Sequence, residues 1–114
     1  MSTVKINNKK YEIPELTFRH SKLLEQYGVS VKNLVSTNHL FTIASAFVAI
    51  VVNCDTDQAD YLIEQHFLGG GDLVEIYNAY IKALSDSHFF RKLLGVEEET
   101  KMDEIVEIQK TEEN

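Results

Sequence analysis

The spacing of apolar residues changes from a strand period to a helix period near the start of the chain. Residues 4–6 and 11–13 alternate apolar and polar side chains, which is the period of a half-buried strand. Asn7 and Asn8 lie between them, and asparagine tolerates the positive φ of a tight hairpin turn. The pattern predicts a β-hairpin over residues 3–13, which Pro14 ends because proline has no amide hydrogen.

A first helix is predicted between Thr17, which can cap its start, and Gly28, which suits the left-handed position after a helix end. The expected inner face contains Leu16, Leu23, Leu24 and Tyr27. Asn38 is predicted to cap a helix over residues 40–52 that is apolar nearly all round, including Phe41, and such a helix belongs at the centre of a fold. The run is rich in β-branched residues, so a strand competes, but its length favours a helix.

Two further helices are predicted around the glycines at 69–71. Asp55 or Thr56 caps the first, and its expected inner face is Ala59, Leu62, Ile63 and Phe67. Asp72 caps the second, whose apolar stripe is Leu73, Ile76, Tyr77, Tyr80, Ile81 and Leu84. The stripe breaks at residues 85–87, and a last apolar cluster of Phe89, Phe90, Leu93 and Leu94 precedes Gly95.

These elements predict a mainly α fold of the α+β class, with an N-terminal hairpin packed on a compact bundle of about four to five helices. The hairpin covers residues 3–13 and the helical body residues 15–95, so residues 1–95 are expected to form a single globular domain. Residues 96–114 contain eight acids and two bases. A short, self-repelling segment of this kind is expected to form a disordered acidic tail. Met102, Ile105, Val106 and Gln109 fall at helical spacing, so a transient or partner-induced helix is the alternative.

Composition and charge argue against several functions. The chain has 114 residues with 18 acids and 11 bases, a formal charge of -7, which does not suit binding to nucleic acid through bulk charge. The first residues predict no signal peptide. The most apolar run, residues 40–52, has 13 residues, whereas a membrane span needs about 20. The sequence therefore predicts neither a nucleic-acid partner nor a membrane partner.

No catalytic, cofactor-binding or metal-binding residue is predicted. The four histidines have no spacing typical of metal ligands, and Cys54 has no nucleophile signature around it. Asp55, Asp57 and Asp60 begin like a calcium loop, but the sixth position is not glycine and the twelfth is His66 rather than glutamate. The glycines at 69–71 lack the lysine and hydroxyl residue of a phosphate-binding loop. We therefore expect a protein that is not an enzyme.

With no catalytic or ligand site predicted, the candidate functional feature is a protein-binding or self-association surface. The apolar cluster before Gly95 is either part of the core or a surface for a partner. The residues assigned to this surface are Tyr77, Tyr80, Phe89, Phe90, Leu93 and Leu94.

The order of these elements resembles the tail assembly chaperones of long-tailed phages and prophages of Gram-positive bacteria. The resemblance covers residues 4–95: the hairpin, a helix ending in residues 23–28, an apolar helix, a helix start at Thr56 and Asp57, and a further helix beginning at residues 70–73. It rests on element order and loose patterns rather than on an invariant motif.

The resemblance implies a function. Such chaperones bind the tape measure protein, a very long helical chain, keep it soluble and help recruit tail tube subunits. They tend to self-associate, and often a longer product arises by ribosomal frameshifting near the end of the gene, which would fall after Gly95. The resemblance also implies action in the cytoplasm of the bacterial host and absence from the mature virion.

Two other classes of function stay open. The first is a small acidic adaptor or regulatory module, of phage or bacterial origin, with a tail that mimics DNA. The second is an enzyme subunit whose site a partner completes. A neighbouring gene for a very long helical protein would favour the chaperone, and a reproducibly bound metal or cofactor would favour the enzyme subunit.

Overall fold

Two short strands form an N-terminal hairpin in the computed structural model, which describes residues 2–95. Strand β1 is Thr3–Ile6 and strand β2 is Lys9–Glu12, and they pair antiparallel. Asn7 and Asn8 form the turn with φ of 52° and 67°, the left-handed values that a two-residue hairpin turn requires. The predicted hairpin and its asparagine turn are therefore confirmed.

Five helices follow the hairpin in the described part of the chain. They are α1 Phe18–Gln26, α2 Leu40–Val52, α3 Thr56–Leu68, α4 Leu73–Asp86 and α5 His88–Leu93, with 3₁₀ turns at Val31–Asn33 and Thr37–His39 before α2. The predicted mainly helical fold with an N-terminal hairpin is thus confirmed. The acidic segment 96–114, for which the sequence predicts a disordered tail, lies outside the described residues.

Helix α2 lies at the centre and packs against α1, α3 and α4. Its buried side chains are Ile43, Ala44, Ala46, Phe47, Val48 and Ala49. The helix is not buried on every side, however, because Phe41 in its first turn is 74% exposed. The expected cap at Asn38 is also wrong: the Ser36 hydroxyl accepts a hydrogen bond from the Asn38 amide at 3.2 Å, so the chain already turns before that position.

The hairpin shares one core with the helices. Val4 and Ile6 on β1 are buried, and β1 packs against α3 and α4. A two-stranded hairpin is marginal alone in water. Its stability here therefore depends on the apolar face of β1 against the helices.

His66, near the end of α3, joins three parts of the fold. Its Nδ1 accepts a hydrogen bond from the Asn7 amide at 2.9 Å, and its Nε2 lies 3.3 Å from the Asp72 carbonyl. A Cβ atom at Gly71 would overlap the imidazole ring. The expected inner residue Phe67 is instead 58% exposed, because the neighbouring His66 turns inward to reach the hairpin turn.

Helix caps follow the predicted residues at α3 and α4. The Asp55 carboxylate accepts a hydrogen bond from the Gln58 amide at 2.9 Å, and the Asp72 carboxylate accepts one from Val74 at 2.8 Å. Gly28 follows α1 with φ of 98°, as expected of a residue after a helix end.

In residues 2–95, no single helix is long and apolar enough to cross a membrane. Two consecutive helical segments, residues 37–52 and 56–68, together have the length and composition of a membrane span, but the helix axis bends by 105° between them.

Candidate protein-binding surface

The structure divides the predicted surface residues between two helices. Tyr77 and Tyr80 lie on α4, whereas Phe89, Phe90 and Leu93 lie on α5 and Leu94 follows directly after it. Burial then separates the six residues further, because only some of them reach solvent.

Tyr80 is a core residue. Its side chain has no exposed area, its hydroxyl donates a hydrogen bond to the Leu34 carbonyl at 2.6 Å, and its ring meets Phe47 edge to face at 5.5 Å between centroids. Burial, with a smaller contribution from Tyr77, raises the pKa of Tyr80 well above its ordinary value. The assignment of Tyr80 to a partner surface is therefore corrected.

Tyr77 is half-buried and performs a related structural task. Its hydroxyl donates a hydrogen bond to the Val35 carbonyl at 2.9 Å, and its ring lies 6.1 Å from that of Tyr80. Leu34 and Val35 lie between the two 3₁₀ turns, and the two tyrosines hold this segment against α4. The contacts of Tyr77 thus lie with the segment before α2 and with Tyr80.

Phe90 is also removed from the proposed surface, since its side chain is completely buried in the common core. It lies on the inner side of α5, where its amide donates to the Ser87 hydroxyl at 3.1 Å. A polar residue at position 90 would therefore disturb folding before it disturbed binding.

Phe89, Leu93 and Phe18 form an exposed apolar surface, which we name the aromatic patch. The rings of Phe18 and Phe89 meet edge to face at 5.9 Å between centroids. Leu93 follows Phe89 by four residues, so the two side chains share one face of α5. Phe18 is 62% exposed and Leu93 is 42% exposed, while Phe89 is half-buried. Leu94, 41% exposed, extends the apolar surface at the end of the helix.

A buried serine positions the two helices that carry the patch. Ser87 caps α5, and its hydroxyl donates a hydrogen bond of 2.5 Å to the Leu16 carbonyl, just before α1. Beside it, the Glu15 carboxylate accepts a hydrogen bond from the His88 amide at 3.2 Å and lies 3.1 Å from its Nδ1. Hydrogen bonding by His88 lowers the pKa of Glu15. The start of α1 is therefore tied to the start of α5, which keeps Phe18 against Phe89.

The two helices that carry the aromatic patch have more basic than acidic side chains. Helices α1 and α5 contain Arg19, Lys22, Arg91 and Lys92 but only one acid, Glu25. Lys22 is four residues after Phe18, and Lys92 is three residues after Phe89, so each lies on the same helix face as a patch residue. The opposite balance holds for residues 55–81, which have six acids and no lysine or arginine.

Sequence reasoning missed Phe18, Ser87 and Glu15. A signal existed for Ser87, because a serine three residues before Phe90, at a break in the helical pattern, is a typical N-cap. Phe18 carried no such signal, since only the tertiary contact with Phe89 shows that it belongs to the same surface.

The described residues present little that is typical of catalytic chemistry. Within 2–95, no group of three or more His, Cys, Asp or Glu side chains is placed to hold a metal ion. Burial, and then the charge of Asp55, raise the pKa of the Cys54 thiol, which disfavours the reactive thiolate. A groove of about 660 Å³ lies between α1, α2 and α3. There the Ser45 hydroxyl donates a hydrogen bond of 2.6 Å to Asp60, and no histidine or cysteine lines it.

Comparison of the chain with protein-family models, with curated proteins and with solved structures found no match.

Proposed function

We propose that this chain is a tail assembly chaperone of a long-tailed phage or prophage. In this proposal it binds the tape measure protein through the aromatic patch and keeps that long helical chain soluble. The observation that carries the proposal is the patch itself. Phe18 and Leu93 are exposed and Phe89 is half-buried, and the hydrogen bonds of Ser87 hold the two helices that carry them in place.

The patch suits an amphipathic helix as its partner. Helical ligands present apolar residues at i, i+3, i+4 and i+7 to an apolar surface, and aromatic side chains often supply most of the binding free energy. The phenylalanine rings offer large contact areas at a small cost in conformational entropy. The Lys22 side chain, on the same face of α1 as Phe18, can contact acidic residues on the polar side of such a helix.

The proposal includes further partners and a location. A tail tube subunit would be recruited, through a longer frameshifted form where one is made, and the chaperone would self-associate. Neither nucleic acid nor a membrane is a partner. The protein would act in the host cytoplasm and would be absent from the mature virion.

Co-expression with the tape measure protein from the same genome tests this function. The full chain should co-purify with that protein and increase its soluble fraction. The double substitution Phe18→Ser and Leu93→Ser should reduce co-purification about tenfold or more, equivalent to about 1.4 kcal/mol or more of binding free energy. Circular dichroism should show that the variant keeps its helicity.

Phe41→Ser is the matched control, because Phe41 is 74% exposed but lies on α2, outside the patch. It should bind as the wild type does. Unchanged co-purification of the patch variant, or an equal loss in the Phe41 control, would contradict the proposal. Recovery of a host regulator instead of the tape measure protein would favour the acidic adaptor.

A further inference from the structure

The groove between α1, α2 and α3 lies where the end of α1 meets the first halves of the other two helices. Two aromatic side chains and a carboxylate, Tyr27, Phe41 and Asp60, are among the residues that line it. Its volume of about 660 Å³ falls within the range of about 300–1,000 Å³ that is usual for ligand sites. Phe18 begins α1 and Gln26 ends it, so about 12 Å of helix separates the aromatic patch from this groove. The groove is therefore a separate feature of the fold.

A positioned carboxylate lies across the groove from exposed aromatic surface. The Ser45 hydroxyl donates a hydrogen bond of 2.6 Å to Asp60 Oδ1, which orients the carboxylate. Asp60 is itself exposed, so its second oxygen, Oδ2, can accept a hydrogen bond from a ligand. Phe41 is 74% exposed and Tyr27 is half-buried. The groove thus offers an anionic acceptor and apolar ring faces to the same ligand.

Negative charge dominates the walls of the groove that α2 and α3 supply. Residues 33–81 contain six acids and no lysine or arginine. Asp60 lies three residues after Asp57 and four before Glu64, so these carboxylates are neighbours on α3 and repel one another. No ion pair to any of them is found in the described part of the chain. Asp55 and Asp57 also occupy the positive end of the α3 dipole. A cation is therefore the charge complement of this groove.

Arginine is the cationic side chain that fits both kinds of surface. Its planar guanidinium stacks on aromatic rings and donates parallel hydrogen bonds to a carboxylate. Its aliphatic stem packs on apolar surface while the charged head stays at the polar end. A lysine ammonium would pair with Asp60 but could not stack on Phe41 in the same way.

We propose that this groove binds an arginine side chain presented by a basic segment of a partner protein. The guanidinium donates to Asp60 Oδ2 and lies against the Phe41 ring, and the aliphatic stem packs along Tyr27. Binding also relieves the repulsion among the carboxylates of α3. The inference goes beyond the proposed function, because it gives the protein a second docking point away from the aromatic patch.

NMR titration of the ¹⁵N-labelled full chain with N-acetylarginine amide tests the site at low salt, where screening is weak. The amide shifts should saturate and should be largest at groove residues such as Gly28, Thr42 and Ser45. N-acetylcitrulline amide, which has nearly the same shape without the charge, should give shifts smaller by about fivefold or more. Equal shifts with the two compounds, or arginine shifts spread evenly over all exposed acids, would overturn the proposal.

Substitutions in the groove test which side chains make the contact. Asp60→Asn keeps an oxygen for the Ser45 hydroxyl but removes the charge, and should weaken arginine binding by about fivefold or more. Phe41→Leu keeps an apolar side chain without the ring and should weaken binding by about twofold to fivefold. The matched control is Glu12→Gln, an exposed acid on β2, which should bind as the wild type does.

The spectra of the free variants show directly whether each one is folded. Unchanged affinity in Asp60→Asn, or an equal loss in Glu12→Gln, would show that the groove does not bind arginine. Because the titration contains no tape measure protein, its failure would leave the chaperone proposal standing, and failure of the chaperone proposal would leave the groove as it is.

Discussion

The polar side chains buried within residues 2–95 are His20, His66 and Ser87. Each makes a hydrogen bond to the backbone, at a helix end or in a separate element. A buried polar group without a partner costs about 1–3 kcal/mol, so each must find a hydrogen bond. His20 does so at the start of α1, where its Nδ1 accepts from the Thr17 amide at 2.9 Å. That geometry requires an unprotonated Nδ1.

His20 makes the stability of the protein depend on pH. Burial, and then the nearby charge of Arg19, lower the pKa of His20 below its ordinary value of 6.5. As pH falls through about 6.5, the unfolded chain therefore binds a proton that the folded chain binds only at lower pH. The free energy of unfolding should fall across this interval, from neutral pH down to the lowered pKa.

His20→Gln should remove this part of the pH dependence and keep the cap. Glutamine at the third helical position can accept from the Thr17 amide, as in a capping box. We expect stability at pH 7.5 to change by less than about 1 kcal/mol, with a smaller loss between pH 7 and pH 5 in urea unfolding. His39→Gln is the control, because His39 is exposed. An unchanged pH profile in His20→Gln would show that other groups cause the acid sensitivity.

At the scale of elements, the short helix α5 depends on its neighbours. It has six residues, which is too few for a stable helix in isolation. The buried Phe90 anchors it in the core, and Ser87 both caps it and binds the segment before α1. The aromatic patch is therefore a product of two elements rather than of α5 alone.

Ser87→Ala should lower the free energy of unfolding by about 1–3 kcal/mol, because the Leu16 carbonyl and the Phe90 amide would lose a buried partner. For a domain of this size, each kcal/mol of lost stability lowers Tm by roughly 4–8 °C. Differential scanning calorimetry measures the shift. The matched control is Ser85→Ala, at an exposed position two residues earlier, which should change stability by less than about 0.5 kcal/mol. Equal effects of the two changes would refute the role assigned to Ser87.

At the scale of the whole molecule, one continuous core links the hairpin to the helices. Val4 and Ile6 belong to the same buried cluster as Phe47 on α2 and Tyr80 on α4. His66 adds a hydrogen bond from α3 to the hairpin turn. The hairpin therefore has no separate core of its own, and should unfold together with the helices.

Native-state hydrogen exchange tests this cooperativity. The hydrogen-bonded amides of β1 and β2 should exchange with opening free energies within about 1 kcal/mol of those at the centre of α2. The amides of Phe18 and Arg19 in the first turn of α1, which have no acceptor within the helix, serve as the low-protection reference. Exchange of the hairpin by a low-energy local opening would contradict a single cooperative unit.

The local elements could be predicted because their causes are local. Paired asparagines tolerate the turn conformation, aspartates cap the helices that follow them, and glycines end helices, all within a few residues of sequence. One error arose where a distant contact decided, since Phe67 turned outward because His66 reaches Asn7. The error at Asn38 has a local cause, because Ser36, two residues earlier, already begins the turn.

The sequence by itself thus determined the order and type of the elements, the apolar centre at α2 and the separation of a nearly neutral body from an acidic end. Only the tertiary structure decided which apolar residues face the solvent. Phe89 and Phe90 are neighbours with the same side chain, yet Phe90 is buried and Phe89 reaches the surface beside Phe18. The physical reason is that burial depends on how α5 packs against α1 and α4, and that packing involves contacts across more than 70 residues of chain.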